Sequence, residues 1–127
     1  IGNRIFGCDD CLAICPWNKF ARLSNDIKFC EEDRVNLMPL SDWLSMNDAK
    51  FRKFTSGLPM KRTGYRRIIR NCLIAAGNSK DPKLTKYVLN HLDSSDSIIR
   101  AASIWSLGKL LTKYDFNKLK QFTSFCH

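Results

Sequence analysis

The stretch IIRNCLIAAG, residues 68–77, comes back further along the chain as IIRAASIWSLG, residues 98–108. The offset is 30 residues at the Ile-Ile-Arg start and 31 at the closing glycines, Gly77 and Gly108. In both copies apolar residues recur at helical spacing, with small residues where a second helix would cross. Self-similarity at this period is the mark of an α-solenoid, in which each helical unit buries its apolar face against the next. Two copies make a very short array, so this half of the chain is expected to need a further surface to stack on.

Outward from the repeat, the pattern stays helical. Residues 65–77 read as one helix with Ile68, Ile69, Cys72, Leu73, Ala75 and Ala76 facing inward. Asp81-Pro82 opens a second, with proline at its favoured first-turn position, and Leu84, Val88, Leu89 and Leu92 follow at helical spacing. Asp96 caps a third containing Ile98, Ile99, Ala102, Trp105, Leu107 and Leu110. Upstream, TSGLPMKRTG (55–64) has two glycines and a proline and reads as a loop. Before it, Ser41 or Asp42 caps a predicted helix running to about residue 55, with Trp43, Leu44, Phe51 and Phe54 as its apolar members. Residues 21–40 hold an acidic patch, Glu31, Glu32 and Asp33, and then VNLMPL, read as extended and closed by Pro39. The fold class expected is mainly α, and the period resembles HEAT-like repeats with a short unit.

The chain has 127 residues, 44% of them hydrophobic and 26% charged, ordinary values for a globular protein. No apolar run approaches the roughly 20 residues that span a bilayer, and no signal-peptide pattern is present, so a cytoplasmic protein without a membrane partner is expected. Ile1 in place of an initiating Met, and a cysteine motif so near the start, lead us to expect a piece of something longer. Net charge is +9, unevenly placed. Residues 49–80 contain no Asp or Glu but hold Lys50, Arg52, Lys53, Lys61, Arg62, Arg66, Arg67, Arg70 and Lys80. A basic run is often only a solvated face; one wholly free of acid points instead to a polyanion such as nucleic acid.

Chemistry concentrates in GCDDCLAICPWNKF, residues 7–20. Cys8, Cys11 and Cys15 have the spacing C-x2-C-x3-C-P, the last three members of the C-x2-C-x2-C-x3-C-P run of two-cluster ferredoxins. Ile5 occupies the first slot and cannot bind iron. On this reading Cys8 and Cys11 hold one cubane and Cys15 reaches a second, while the other thiolates come from sequence outside this chain. Residues 1–40 are thus expected to be part of a ferredoxin-like double-cluster domain, followed by a helical repeat domain over 41–127. Zinc would need a second ligand pair, and His91 and His127 are too isolated to form one. A redox CxxC of thioredoxin type would need a βαβ setting that is absent. Cys72 reads as a small core hydrophobe, and Cys30 and Cys126 stand alone. Trp17 reads as a core aromatic, with shielding of the cysteines from water as the functional alternative.

The stretch IGNRIFGCDDCLAICPWNKFA (1–21), together with FRKFTSGLPMKRTGYRRIIRNCLIAAGN (51–78), closely resembles the C-terminal part of the epoxyqueuosine reductase family. The resemblance covers residues 1–80 well and the remainder loosely. It implies reduction of the epoxide of epoxyqueuosine to queuosine at the tRNA wobble position. It also implies two [4Fe-4S] clusters, a cobalamin, an external electron donor, and a HEAT-like domain that helps to hold the tRNA anticodon stem-loop. Carried over, Cys8 and Cys11 would ligate the second cluster and Cys15 the first. Lys61, Arg62, Arg66, Arg67 and Arg70 would lie along the RNA. The cobalamin region, its acid and the first cysteine run are not in this sequence, so no catalytic residue is expected here and the chain alone is expected to be inactive without that N-terminal part.

Phosphate contacts position an RNA, and stacking or base-edge contacts identify it. Tyr65 is the candidate for stacking, with burial against a neighbour as the plainer fate. Arg70 recurs in register as Arg100, so it either contacts phosphate or bonds a neighbouring carbonyl or carboxylate. Asn71 and Asn78 read as helix-bridging groups, and Gly57 and Gly64 as backbone permits for the loop. Two other functions fit the same residues: a general [4Fe-4S] electron-transfer module with a helical docking scaffold, or a non-catalytic remnant of a split gene.

Overall fold

The computed structural model describes residues 2–22, 35, 37–111 and 115. Among them every regular element is helical and none is a strand, as the mainly-α expectation requires. The elements are α1 (Asp10–Ala13), a 3-10 turn (Pro16–Phe20), α2 (Leu40–Leu44), α3 (Asp48–Phe54), α4 (Met60–Thr63) and α5 (Tyr65–Ser79). A second 3-10 turn (Pro82–Leu84) leads into α6 (Thr85–Leu89), and α7 (Ser97–Leu110) follows. The acidic patch Glu31, Glu32 and Asp33, and also Cys30, Cys126 and His127, lie outside the described residues.

Helix α5 is the centre of the fold. It buries Ile68, Ile69, Cys72, Leu73, Ala75 and Ala76, the six positions its spacing marked, and Gly77 with them. Its main partner is α7, and α2, α3 and α4 pack on it as well. At the α5–α7 crossing a Cβ on Gly77 would stand 2.8 Å from Cζ3 of Trp105 and 3.0 Å from Cα of Ser106. The Ser106 hydroxyl donates across the crossing to the Leu73 carbonyl, so the two repeat helices are joined by a hydrogen bond as well as by apolar contact.

The burial of α7 differs from the expected pattern. Ile98 and Trp105, placed in its apolar set, are 42% and 43% exposed, while Ser103 and Ser106 are fully buried. This helix is apolar nearly all round, so composition does not say which flank meets a neighbour; the close approach selects the flank with small side chains. The serine hydroxyls remain satisfied, Ser103 by the Ile99 carbonyl at 2.9 Å. Lys109 lies over the Trp105 ring, 5.7 Å from its centroid.

The predicted helix over residues 41–55 is two helices. Asn47 breaks it: its side chain accepts from the Lys50 N–H at 2.9 Å and caps α3. Neither Ser41 nor Asp42 caps α2, which starts after Pro39 without a side-chain cap. Trp43, Leu44 and Phe51 are buried, with Phe54 edge-on to Trp43 at 5.5 Å. The loop at 55–64 contains one unexpected helical turn, α4, held down by buried Leu58 and Met60. Gly57 and Gly64 flank that turn at φ 82°, where a side chain would be strained. The other caps fall where expected: Asp81 accepts from Lys83 N–H at 2.9 Å and Asp96 from Ile98 N–H at 2.8 Å.

Gly77→Ala should therefore destabilise the protein by about 1–3 kcal/mol, since the new methyl meets backbone as well as ring atoms. A urea unfolding midpoint equal to the parent's would show that the crossing can relax.

Candidate functional site

The cysteine segment is short and turn-rich. Gly2 and Gly7 have φ near 60°, and Asp9, at φ 51°, starts the single turn α1. Pro16 opens the following 3-10 turn, with Cys15 just before it in an extended conformation. Cys8 and Cys11 are exposed and Cys15 is half-buried; all three are free thiols. No three His, Cys, Asp or Glu side chains gather closely enough to hold a metal ion among the described residues. As donors the three suit iron, being soft, unpaired and accessible. They form no ready-made centre of their own. A recess of about 320 Å³ opens at Cys8, lined also by Arg4, Ile5, Gly7, Asp10 and Asn71. Arg4 and Asp10 pair across it at 2.7 Å.

Trp17 is 73% exposed, so the expectation of a core aromatic fails. The segment is too short to fold over its own apolar residues, and neither of its turns buries any residue. Trp17 meets Phe20 at 5.7 Å, and Leu12, Ile14 and Phe20 are exposed beside it. The segment thus carries exposed apolar side chains as well as its thiols.

Two amides fasten this segment to the repeat. Asn71 Nδ2 donates to the Ile5 carbonyl and Asn78 Nδ2 to the Gly2 carbonyl, both at 2.8 Å. Arg70 is half-buried and donates from Nε and Nη2 to the Asn71 Oδ1, at 3.1 and 2.9 Å. It thereby orients the amide that holds Ile5. Its repeat counterpart, Arg100, donates instead to the Ser94 carbonyl at 2.6 Å. Sequence reasoning left both asparagines as general bridges. Their spacing of seven residues on the unburied face of α5 was the available signal.

The basic residues divide by what engages them. Lys61 and Arg62 are exposed on α4 and Arg67 is exposed on α5. No ion pair or side-chain hydrogen bond holds these three among the described residues. Arg66 is ion-paired with Asp96, the cap of α7. Desolvation pushes the Asp96 carboxyl upward, but the Ile98 N–H bond and the Arg66 guanidinium outweigh it and hold the carboxyl below its usual range. Tyr65 is no stacking platform: its hydroxyl donates to the Met46 carbonyl at 2.8 Å and its ring lies 5.9 Å from Phe51. Burial, and then the charge of Asp48, raise its pKa. Burial pushes the Cys72 thiol up to about 12, so it stays protonated as a core side chain and is no ligand.

Asn71→Ala should cost about 1 kcal/mol and speed amide exchange within residues 2–8 far more than within α5. Equal acceleration in both would mean that the amide is not a local tether. Because the folded Asp96 pKa lies below its unfolded value, the stabilisation from this group is present above the unfolded carboxylate range and fades as pH falls through the folded value. Asp96→Asn should be less stable than the parent at neutral pH, with the difference closing in acid. A difference that persists in acid would assign the stabilisation to another group.

Among curated proteins, the epoxyqueuosine reductase of Xanthomonas campestris is 36% identical over 110 residues, 86% of this chain and 31% of that protein. That of Francisella cf. novicida is 35% identical over 112 residues, again 86% of this chain and 31% of the relative. The Alicycliphilus denitrificans enzyme is 42% identical over 79 residues, 62% of this chain and 22% of its own length. No family model and no solved structure matches the chain. The chain spans about a third of the length of the first two relatives. By its sequence the chain belongs to the epoxyqueuosine reductase family, of which it represents a part.

Proposed function

We propose that this chain contributes cluster ligands and an RNA-binding surface to the reduction of epoxyqueuosine to queuosine in tRNA. The relatives' names give the reaction. The observation that carries the division of labour is the pair of amide bonds from Asn71 and Asn78. They fix the cysteine segment on the same helix that presents Arg67, next to the turn that presents Lys61 and Arg62. A group that delivers electrons and a surface that positions RNA are thereby joined without a hinge between them.

In this reading Cys8 and Cys11 supply thiolates to one [4Fe-4S] cluster and Cys15 to a second. Splitting the donors in this way needs no convergence of all three thiols within this chain. Bound clusters supply one-electron transfer, and the remaining ligands, the cobalamin and the electron-donor site belong to the rest of the enzyme. Lys61, Arg62 and Arg67 meet phosphates of the anticodon stem-loop; Arg66 and Arg70, already engaged with Asp96 and Asn71, hold the helices and the tether in place. Exposed Leu12, Ile14 and Trp17 are covered in the assembled enzyme, which keeps water from the clusters.

The test has two arms. Oxygen-free reconstitution of the whole enzyme should yield inorganic sulfide, and Cys8→Ser, Cys11→Ser or Cys15→Ser should lower it and abolish reduction. Unchanged sulfide and unchanged turnover in all three would remove the ligand assignment. Binding of an anticodon stem-loop should weaken steeply with salt, and the double change Lys61→Glu, Arg62→Glu should weaken it for every base sequence while reducing the salt slope by about 2. Affinity indifferent to salt would exclude phosphate contact.

A further inference from the structure

The recess at Cys8 is bridged by two charges of opposite sign. Arg4 Nη1 bonds Asp10 Oδ2 at 2.7 Å, and both residues line the recess together with Cys8. Asp10 lies between Cys8 and Cys11 in the chain, so a carboxylate accompanies those two thiols wherever they bind. The backbone on either side of Arg4 is held. Asn78 bonds the carbonyl of Gly2, two residues before it, and Asn71 that of Ile5, directly after it. The guanidinium thus reaches the carboxylate from the tethered part of the segment. Stability does not account for the pair. Its side chains are 51% and 60% exposed, and an ion pair so open to water adds little to a fold. What it changes is the charge beside the thiols.

We propose that Arg4 raises the reduction potential of the iron–sulfur cluster held by Cys8 and Cys11, by neutralising Asp10 beside it. The inference rests on the functional reading above, which gives those two thiols to one cluster, and adds how this chain tunes that cluster. A cluster bound by thiolates is already rich in negative charge, and each further negative charge nearby makes the arrival of an electron harder. Asp10 alone would have that effect. With the guanidinium in contact the two charges largely cancel. Arginine suits the task, because it keeps its charge at any working pH and its planar fork matches a carboxylate. The electron comes from the enzyme's external one-electron donor; Arg4 and Asp10 act by their field and exchange neither electron nor proton. Asp9 supplies a contrast. It has the same charge one residue away, but it lines a separate cleft with Asn3 and Phe6 and does not line the recess.

The experiment is a potentiometric titration of the whole enzyme, reconstituted without oxygen and followed by electron paramagnetic resonance. Arg4→Gln should shift one cluster to a more negative midpoint potential, and Asp10→Asn should shift the same cluster to a more positive one. The double variant should return close to the parent, because it removes both charges. Asp9→Asn should shift that potential less than Asp10→Asn does. A pair that merely stapled the loop would give single variants that shift in one direction and lose inorganic sulfide together. Should Arg4→Gln fail to retain its cluster, Asp10→Asn decides alone, a rise supporting the proposal and an unchanged potential overturning it. Potentials equal to the parent's in both single variants, or shifts of the same sign, overturn the proposal and leave the cluster assignment standing. A parent enzyme that holds no inorganic sulfide overturns both.

Discussion

The approach of Gly77 to Trp105 and Ser106 sets the separation of α5 and α7, and most of the remaining structure hangs on the helix so placed. One face of α5 is given wholly to apolar packing, against α7, α2, α3 and α4. Its opposite face is free to carry arginines and the amides that hold the cysteine segment. A helix with one buried apolar face and one polar face has a fixed rotation about its axis. The polar face therefore points in one direction, and so does everything attached to it.

Legibility followed from how local each determinant was. The inward residues of α5 were readable because its apolar positions form one clean face interrupted by charges, and each helix-capping aspartate was readable because its bond closes within two residues. On α7 the apolar set did not show that Ile98 and Trp105 would stay partly exposed, since an evenly apolar helix carries no periodic signal and the small serines decided the packing instead. The single helix expected over 41–55 failed at Asn47, where a capping side chain outcompeted continuation of the backbone ladder. Trp17 was misread because size and apolarity predict burial only where enough chain exists to cover the ring.

For the candidate site, the residue types were legible and their arrangement was not. The cysteines and the acid-free basic block stand out in any reading of composition. That the two lie on one support depends on hydrogen bonds spanning 66 and 76 positions, which leave no local trace. The basic residues also proved unequal. Arg66 and Arg70 are engaged by an aspartate and an asparagine, one far off in the sequence and the other adjacent, whereas Lys61, Arg62 and Arg67 have no such partner among the described residues. A run that looks uniform on paper thus separates into scaffold and surface once tertiary partners are known.

The two asparagines bond main-chain carbonyls of Gly2 and Ile5 and touch no side-chain acceptor there. Such an attachment is blind to what those positions carry. Side chains near the thiols are free to drift in polarity or bulk, while the seat of the segment on α5 stays constant. The surroundings of the thiols and the placement of the segment are in this way mechanically independent.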